Sequence, residues 1–157
     1  MKKLNVGNKI KTSGTGGFSF KGGTVKYFEE HIIKSIPFFL ESHKLISKLS
    51  TFFISENSNV YDLGCSTGLT SRSIIDGNLN KKFNLYGIDL SKDMILKAKK
   101  ISNNNKYKKI KFLYGDVIKK KIKKSDLIVS NYFIQFIPPK KRQLVFDKIF
   151  KSLNYGG

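Results

Sequence analysis

The stretch Val60-Tyr61-Asp62-Leu63-Gly64-Cys65-Ser66-Thr67-Gly68 constrains this chain more than any other. An apolar run breaks into small residues just before a helical pattern starts, which reads as strand, tight turn, helix. Gly64, Ser66 and Gly68 leave no bulk where the chain leaves the strand, so a ligand can come close to the backbone. Amide groups opening the next helix then face that ligand. Asp62, on the incoming strand, is badly placed to welcome a pyrophosphate and well placed to accept from an ammonium group. The turn therefore favours a cofactor that carries an amino acid over a dinucleotide. The same letters, Gly64-x-Ser66-x-Gly68, also spell a hydrolase nucleophile elbow. That reading needs a histidine after the serine, and His31 and His43 both precede it.

A second strand, Phe83-Asn84-Leu85-Tyr86-Gly87-Ile88-Asp89, ends in an acid a little over twenty residues past Gly64. That spacing suits a carboxylate gripping ribose hydroxyls. With Asp62-x-Gly64-x-Ser66-x-Gly68 and Asp89 together, the chain resembles a class I methyltransferase binding S-adenosyl-L-methionine. Ser66 stands where such loops usually have their central glycine.

The totals fit one soluble domain with a real core. The chain has 157 residues, 39% of them hydrophobic, with 13 Phe and 7 Tyr. No apolar run approaches a membrane span, and Met1-Lys2-Lys3-Leu4-Asn5 lacks the apolar core of a signal peptide. The expected location is the cytoplasm. A single cysteine, Cys65, excludes an internal disulfide and a thiolate metal cage. Its expected role is that of a small residue accommodated in the turn.

A formal charge of +19 would ordinarily point to nucleic acid. Only Arg72 and Arg142 are arginine, however, and the lysines are spread in short runs such as 81–82, 99–100, 119–124 and 140–141. A solvated lysine surface is the better reading, and a nucleic-acid partner is not required. His31 and His43 read as helix residues with no partner at metal spacing.

In chain order, residues 1–17 read as a flexible basic leader and 18–157 as the S-adenosyl-L-methionine-binding domain. Val25, Phe28, Ile32 and Ile36 follow helical spacing up to Pro37, and Leu45, Ile46, Leu49, Phe52 and Phe53 form a second helical stripe. Leu69, Ile74 and Ile75 mark the crossover helix after the turn. Ser91 can cap the next, whose Met94, Ala98 and Ile101 should face the sheet. A third strand covers Ile110 to Tyr114 and a fourth Asp126 to Ser130. Pro138-Pro139 then opens a last helix with Val145, Phe146, Ile149, Phe150 and Leu153 as its apolar face. Strands alternating with helices imply an α/β protein with a doubly wound parallel sheet, the Rossmann-like class I methyltransferase fold.

A narrower likeness rests on Phe28-x-x-x-Ile32-x-x-Ser35-Ile36-Pro37, Val60-Tyr61-Asp62-Leu63-Gly64-Cys65-Ser66 and Asn131-x-x-x-Gln135-Phe136. From about Phe18 to Gly157 the chain looks like a carboxy-S-adenosyl-L-methionine synthase. The resemblance implies carboxyl transfer from prephenate to the cofactor, serving modification of the wobble uridine of tRNA. It implies that Gly64, Cys65 and Ser66 line the methionine end of the cofactor, Asp89 and Leu90 its ribose, Asp116 and Val117 its adenine, and Asn131 the region of the sulfonium. Read alone, Gly115-Asp116 is equally a turn-forming pair.

Two departures go with the likeness. Phe39 replaces a tyrosine whose hydroxyl contacts the cofactor, and the arginine that pairs with the transferred carboxylate lies in a C-terminal half this chain does not contain. The fold is accordingly expected to stop after its fourth strand, as a fragment incomplete at the C-terminus. That strand, apolar on both faces, would form an edge and favour a homodimer. Two other readings stay open: an ordinary methyltransferase acting on a small molecule, and a non-catalytic domain binding the cofactor or RNA. Catalytic residues are not assigned.

Overall fold

A computed structural model describes residues 23–157; the leader and the aromatic pair Phe18 and Phe20 lie outside the described residues. Two helices, α1 (Gly23–Ser35) and α2 (Phe39–Phe53), precede the alternating part. Then follow β1 (Asn59–Leu63), α3 (Leu69–Gly77), β2 (Asn84–Asp89), α4 (Lys92–Ile101), β3 (Ile110–Tyr114), β4 (Leu127–Val129), a single 3-10 turn (Ile134–Phe136) and α5 (Pro139–Ser152). The four strands form one sheet in the order β3-β2-β1-β4, every pairing parallel.

This order follows from the crossovers. The chain steps outward from β1 to β2 to β3, then returns to the other side of β1 for β4, so the switch point lies between β1 and β4. Alternate side chains feed two cores, as a parallel sheet covered on both faces requires. On one face Val60, Leu85, Ile110 and Phe112 pack with Ile74, Ile75, Ile95 and Ala98 from the helices; on the other Tyr61, Leu63 and Ile88 pack with Val117 and Ile149. Ile74, Ile75 and Leu85 are fully buried, each contributing about 1.5–3 kcal/mol. Ser91 caps α4 as expected, its Oγ accepting from Met94 N at 3.3 Å.

Three apolar expectations differ from the structure. In α4, Ile95 rather than Ile101 joins Met94 and Ala98 among the buried residues. In α2 Leu45, Leu49, Phe52 and Phe53 are exposed and only Ile46 of the expected stripe packs against the core, while Phe39, His43 and Ser50 are buried. The cause is the contact with α3, where a Cβ on Gly77 would lie 2.5 Å from Ser47 O. So close an approach selects small polar residues for the interface and turns the large ones away. In α5 only Val145 and Ile149 meet the core, leaving Phe146 and Phe150 exposed. The start of β4 is partly closed by a parallel bridge between Ser125 and Leu153.

Candidate cofactor site

A cavity of about 940 Å³ opens at the C-terminal ends of β1, β2 and β4. Its size suits a cofactor together with a small second molecule. Gly64, Cys65, Ser66, Asp89, Leu90, Asp116, Val117 and Asn131, all anticipated from sequence, line it together.

The turn after β1 is pinned to the end of β2, since Gly64 N and Cys65 N donate to Ile88 O at 2.8 and 3.1 Å. This brings the turn beside Asp89, whose Oδ2 accepts from Ser66 N at 2.9 Å and whose Oδ1 accepts from Ser91 N at 2.8 Å. Burial raises the Asp89 carboxyl above its ordinary range, and the amides of Ser91 and Ser66 oppose that shift. Each oxygen keeps further accepting capacity toward the cavity. Ser66 takes φ +50°, so the missing glycine is replaced by a residue held in the left-handed region. Its Oγ donates to the Met94 thioether at 3.6 Å and has no histidine partner, which leaves the hydrolase elbow without its base.

Cys65 is buried, and burial pushes its thiol well above the ordinary range. A Cβ on Gly87 would lie 2.9 Å from Cys65 Sγ, so a glycine in β2 is what makes room for the thiol. Asp116 Oδ1 accepts from Ile118 N at 2.8 Å in a local turn, and the residue also lines the cavity.

Asp62 is placed differently from expectation. It is 1% exposed, points toward α3 and accepts from Ser71 Oγ at 2.6 Å, outside the cavity. Burial raises its pKa to about 7. Even residue positions of β1 face α3, so the Asp62 carboxyl ties the strand to α3 and is not among the cavity-lining residues.

Sequence reasoning reached the opposite wall only through the family resemblance and named few of its residues. Phe28, Glu29 and Ile32 from α1, Ile36 just past its end, Phe39 and His43 from α2, and Tyr132, Phe133 and Phe136 after β4 complete the cavity. Glu29 Oε1 accepts from Arg72 Nη2 at 2.8 Å and from Thr67 Oγ1 at 2.7 Å, tying α1 to the turn. Arg72 Nη1 also donates to Thr67 O at 2.8 Å. Phe39 stacks on Tyr132 with ring centroids 5.5 Å apart, and Tyr132, like Phe38, has positive φ. Left-handed backbone at bulky residues is costly and tends to collect where function demands it. The quoted patterns Phe28-x-x-x-Ile32-x-x-Ser35-Ile36-Pro37 and Asn131-x-x-x-Gln135-Phe136, with Phe39 between them, were the signals pointing to this wall.

An open parallel sheet with its crevice at the switch point defines the class of α/β domains that bind nucleotide-bearing cofactors. Residues 54–157 match the family model of a methyltransferase domain, and the chain belongs to that family, whose cofactor is S-adenosyl-L-methionine. It is 36% identical over 149 residues to a carboxy-S-adenosyl-L-methionine synthase of Campylobacter jejuni subsp. jejuni, covering 94% of this chain and 62% of that one. It is 37% identical over 140 residues to the synthase of Campylobacter curvus, covering 89% and 58%. The chain thus spans about three fifths of the length of these relatives. Among solved structures, an S-adenosyl-L-methionine-dependent methyltransferase of Methanococcus maripaludis superposes with a TM-score of 0.69 at 23% identity, over 92% of this chain and 63% of that one. That likeness concerns the fold.

The residues present fit the cofactor on two counts. In a chain of charge +19 the cavity is lined by four acids, Glu29, Asp89, Asp93 and Asp116, against one lysine, Lys92. An acid-rich hollow in a basic protein suits a ligand bearing a sulfonium and an ammonium group. Asn131 Nδ2 is buried with no hydrogen-bond partner, an orphaned donor of the kind a ligand acceptor satisfies.

Among the described residues no helix is long and apolar enough to cross a membrane.

Proposed function

We propose that this protein is an S-adenosyl-L-methionine-dependent transferase, acting in the cytoplasm, whose cofactor occupies the turn side of the cavity. The observation that carries the reading is the acid-rich lining at the strand ends of an otherwise strongly basic chain. Gly64, Cys65 and Ser66 would hold the methionine end, Asp89 and Leu90 the ribose, Asp116 and Val117 the adenine, and Asn131 Nδ2 would donate near the reacting centre. Bound there, the cofactor supplies an electrophilic carbon on a positively charged sulfur. The chain's own contribution is positioning and exclusion of water, with the aromatic wall covering the site.

The finer reading is carboxyl transfer from prephenate, with the product serving tRNA wobble uridine modification. Its support is the two synthase relatives, over the part of their length that the chain spans. The second reading, an ordinary small-molecule methyltransferase, is supported by the match of residues 54–157 to the methyltransferase-domain family.

Calorimetric titration with S-adenosyl-L-methionine tests the cofactor site, and heats no larger than dilution would end the proposal. Mass spectrometry after incubation with cofactor and prephenate separates the two chemistries. Carboxylated cofactor supports the synthase, and its absence beside a methylated acceptor supports the methyltransferase.

A further inference from the structure

The polar groups of the cavity fall into two sets. One set lies at the strand ends and is accounted for by the cofactor reading. The other comprises Tyr132 and Gln135 at the 3-10 turn and His43, which α2 carries into the apolar wall among Phe28, Ile32, Ile36 and Phe39, with Glu29 nearby on α1.

The tautomer of His43 follows from its neighbours. Its Nδ1 lies 2.7 Å from Phe39 O, and a carbonyl oxygen only accepts, so Nδ1 carries the proton. The ring is buried at 5% exposure and packs against Phe39 at 4.4 Å between centroids. Burial lowers its pKa; the Phe39 carbonyl and the Glu29 carboxylate oppose that shift, and the Arg72 guanidinium adds to it. Glu29 is itself neutralised through Arg72 at 2.8 Å, so it does not hold the imidazole in its cationic form. The ring is therefore neutral, with its remaining lone pair on Nε2. Among the described residues nothing donates to that nitrogen.

We propose that His43 Nε2 is the recognition atom of an acceptor subsite in the wall of the cavity. The subsite takes a small, neutral, largely apolar molecule through one O–H or N–H donor, such as a phenol, enol or secondary amine. An anion is disfavoured there because the lone pair of the neutral His43 repels it, and a molecule with no donor leaves Nε2 unpaired. This deepens the proposed function and rests on the cofactor occupying the turn side of the same cavity.

Phenol, anisole and benzoate serve as probes, with protein labelled by 15N-histidine and the His43 resonances assigned by their loss in His43→Phe. Phenol should move the unprotonated nitrogen of His43 and bind about tenfold more tightly than anisole, the value of one buried hydrogen bond, with benzoate the weakest. In His43→Phe the preference for phenol over anisole should vanish, and His43→Gln, whose Oε1 can accept at the same place, should retain it. An unmoved resonance, equal binding of phenol and anisole, or benzoate binding best would overturn the subsite. Where His43→Phe fails to fold, loss of the other resonance in His31→Gln assigns His43, the chain having 2 histidines, and the wild-type shift decides the matter. Titration with S-adenosyl-L-methionine separates the two proposals. Cofactor binding without a phenol preference overturns the subsite alone, and a phenol preference without cofactor binding overturns the cofactor reading alone.

Discussion

At the scale of single residues the site depends on what is absent from a side chain and on what is buried beneath it. Gly64 has φ +73°, and an added Cβ would collide with the Phe133 ring that packs over the turn. Gly64→Ala should cost about 3 kcal/mol, from left-handed strain plus overpacking. It should also abolish cofactor binding, because the Phe133 loop must move; a melt and a calorimetric titration read the two effects. Asp62 sets a pH dependence of the opposite kind from most carboxylates. Its pKa is about 7 when folded, against about 4 for an unperturbed carboxyl in the unfolded chain, so the folded state holds the proton more tightly. Stability from this group is complete below pH 4 and is lost progressively as the pH rises to about 7. Relative to the wild type, Asp62→Asn should therefore gain up to about 4 kcal/mol between pH 4 and 7.5 in urea titrations. A difference that stays constant with pH would show that Asp62 ionises freely in the fold.

At the scale of elements, α1 is a wall of the cavity attached to the turn through one ion pair. Arg72 is almost wholly buried there and Glu29 about one-third exposed, with Thr67 sharing the same carboxylate oxygen. Removing the carboxylate leaves a guanidinium buried without a counter-charge, so Glu29→Ala should cost about 2 kcal/mol, between the surface and fully buried cases. Hydrogen exchange should show Gly23–Ser35 losing protection while β1, β2 and β3 keep theirs; unchanged exchange in α1 would mean that packing alone holds it. The same elements show how far sequence reasoning reaches. β3 was bounded at Ile110 and Tyr114, and the eight cofactor candidates share one cavity, because small residues and acids at strand ends follow from local chain geometry. The exposed faces of α2 and α5 were not legible, since periodicity tells which residues share a face and not whether a neighbour covers it. Nor was the Glu29–Arg72 pair, whose members are 43 positions apart in the chain. A lone histidine carries no signal in sequence; the apolar wall and the Phe39 carbonyl give His43 its meaning.

At the scale of the whole molecule an apolar edge and a large positive charge act against each other. Leu127, Ile128 and Val129 of β4 are only half-buried, and Ile128 and Val129 share a hollow of about 340 Å³ with Ile46, Leu49 and Phe53 of α2. Phe52 and Phe150 stand 82% and 81% exposed. Such an edge presents unpaired backbone groups and apolar surface to a second copy of the same strand. The charge of +19 repels that copy over a distance set by salt, roughly 30 Å at 0.01 M and 3 Å at 1 M. The chain should consequently be monomeric in dilute buffer and dimerise as salt is raised, the reverse of an assembly held by ion pairs. Light scattering on a sizing column across that range reads the mass directly, and Leu49→Lys with Phe53→Lys should hold the monomer at every salt concentration. A wild-type mass that stays monomeric in high salt would mean that the bridge between Ser125 and Leu153, together with α5, shields β4 well enough to keep a second strand away.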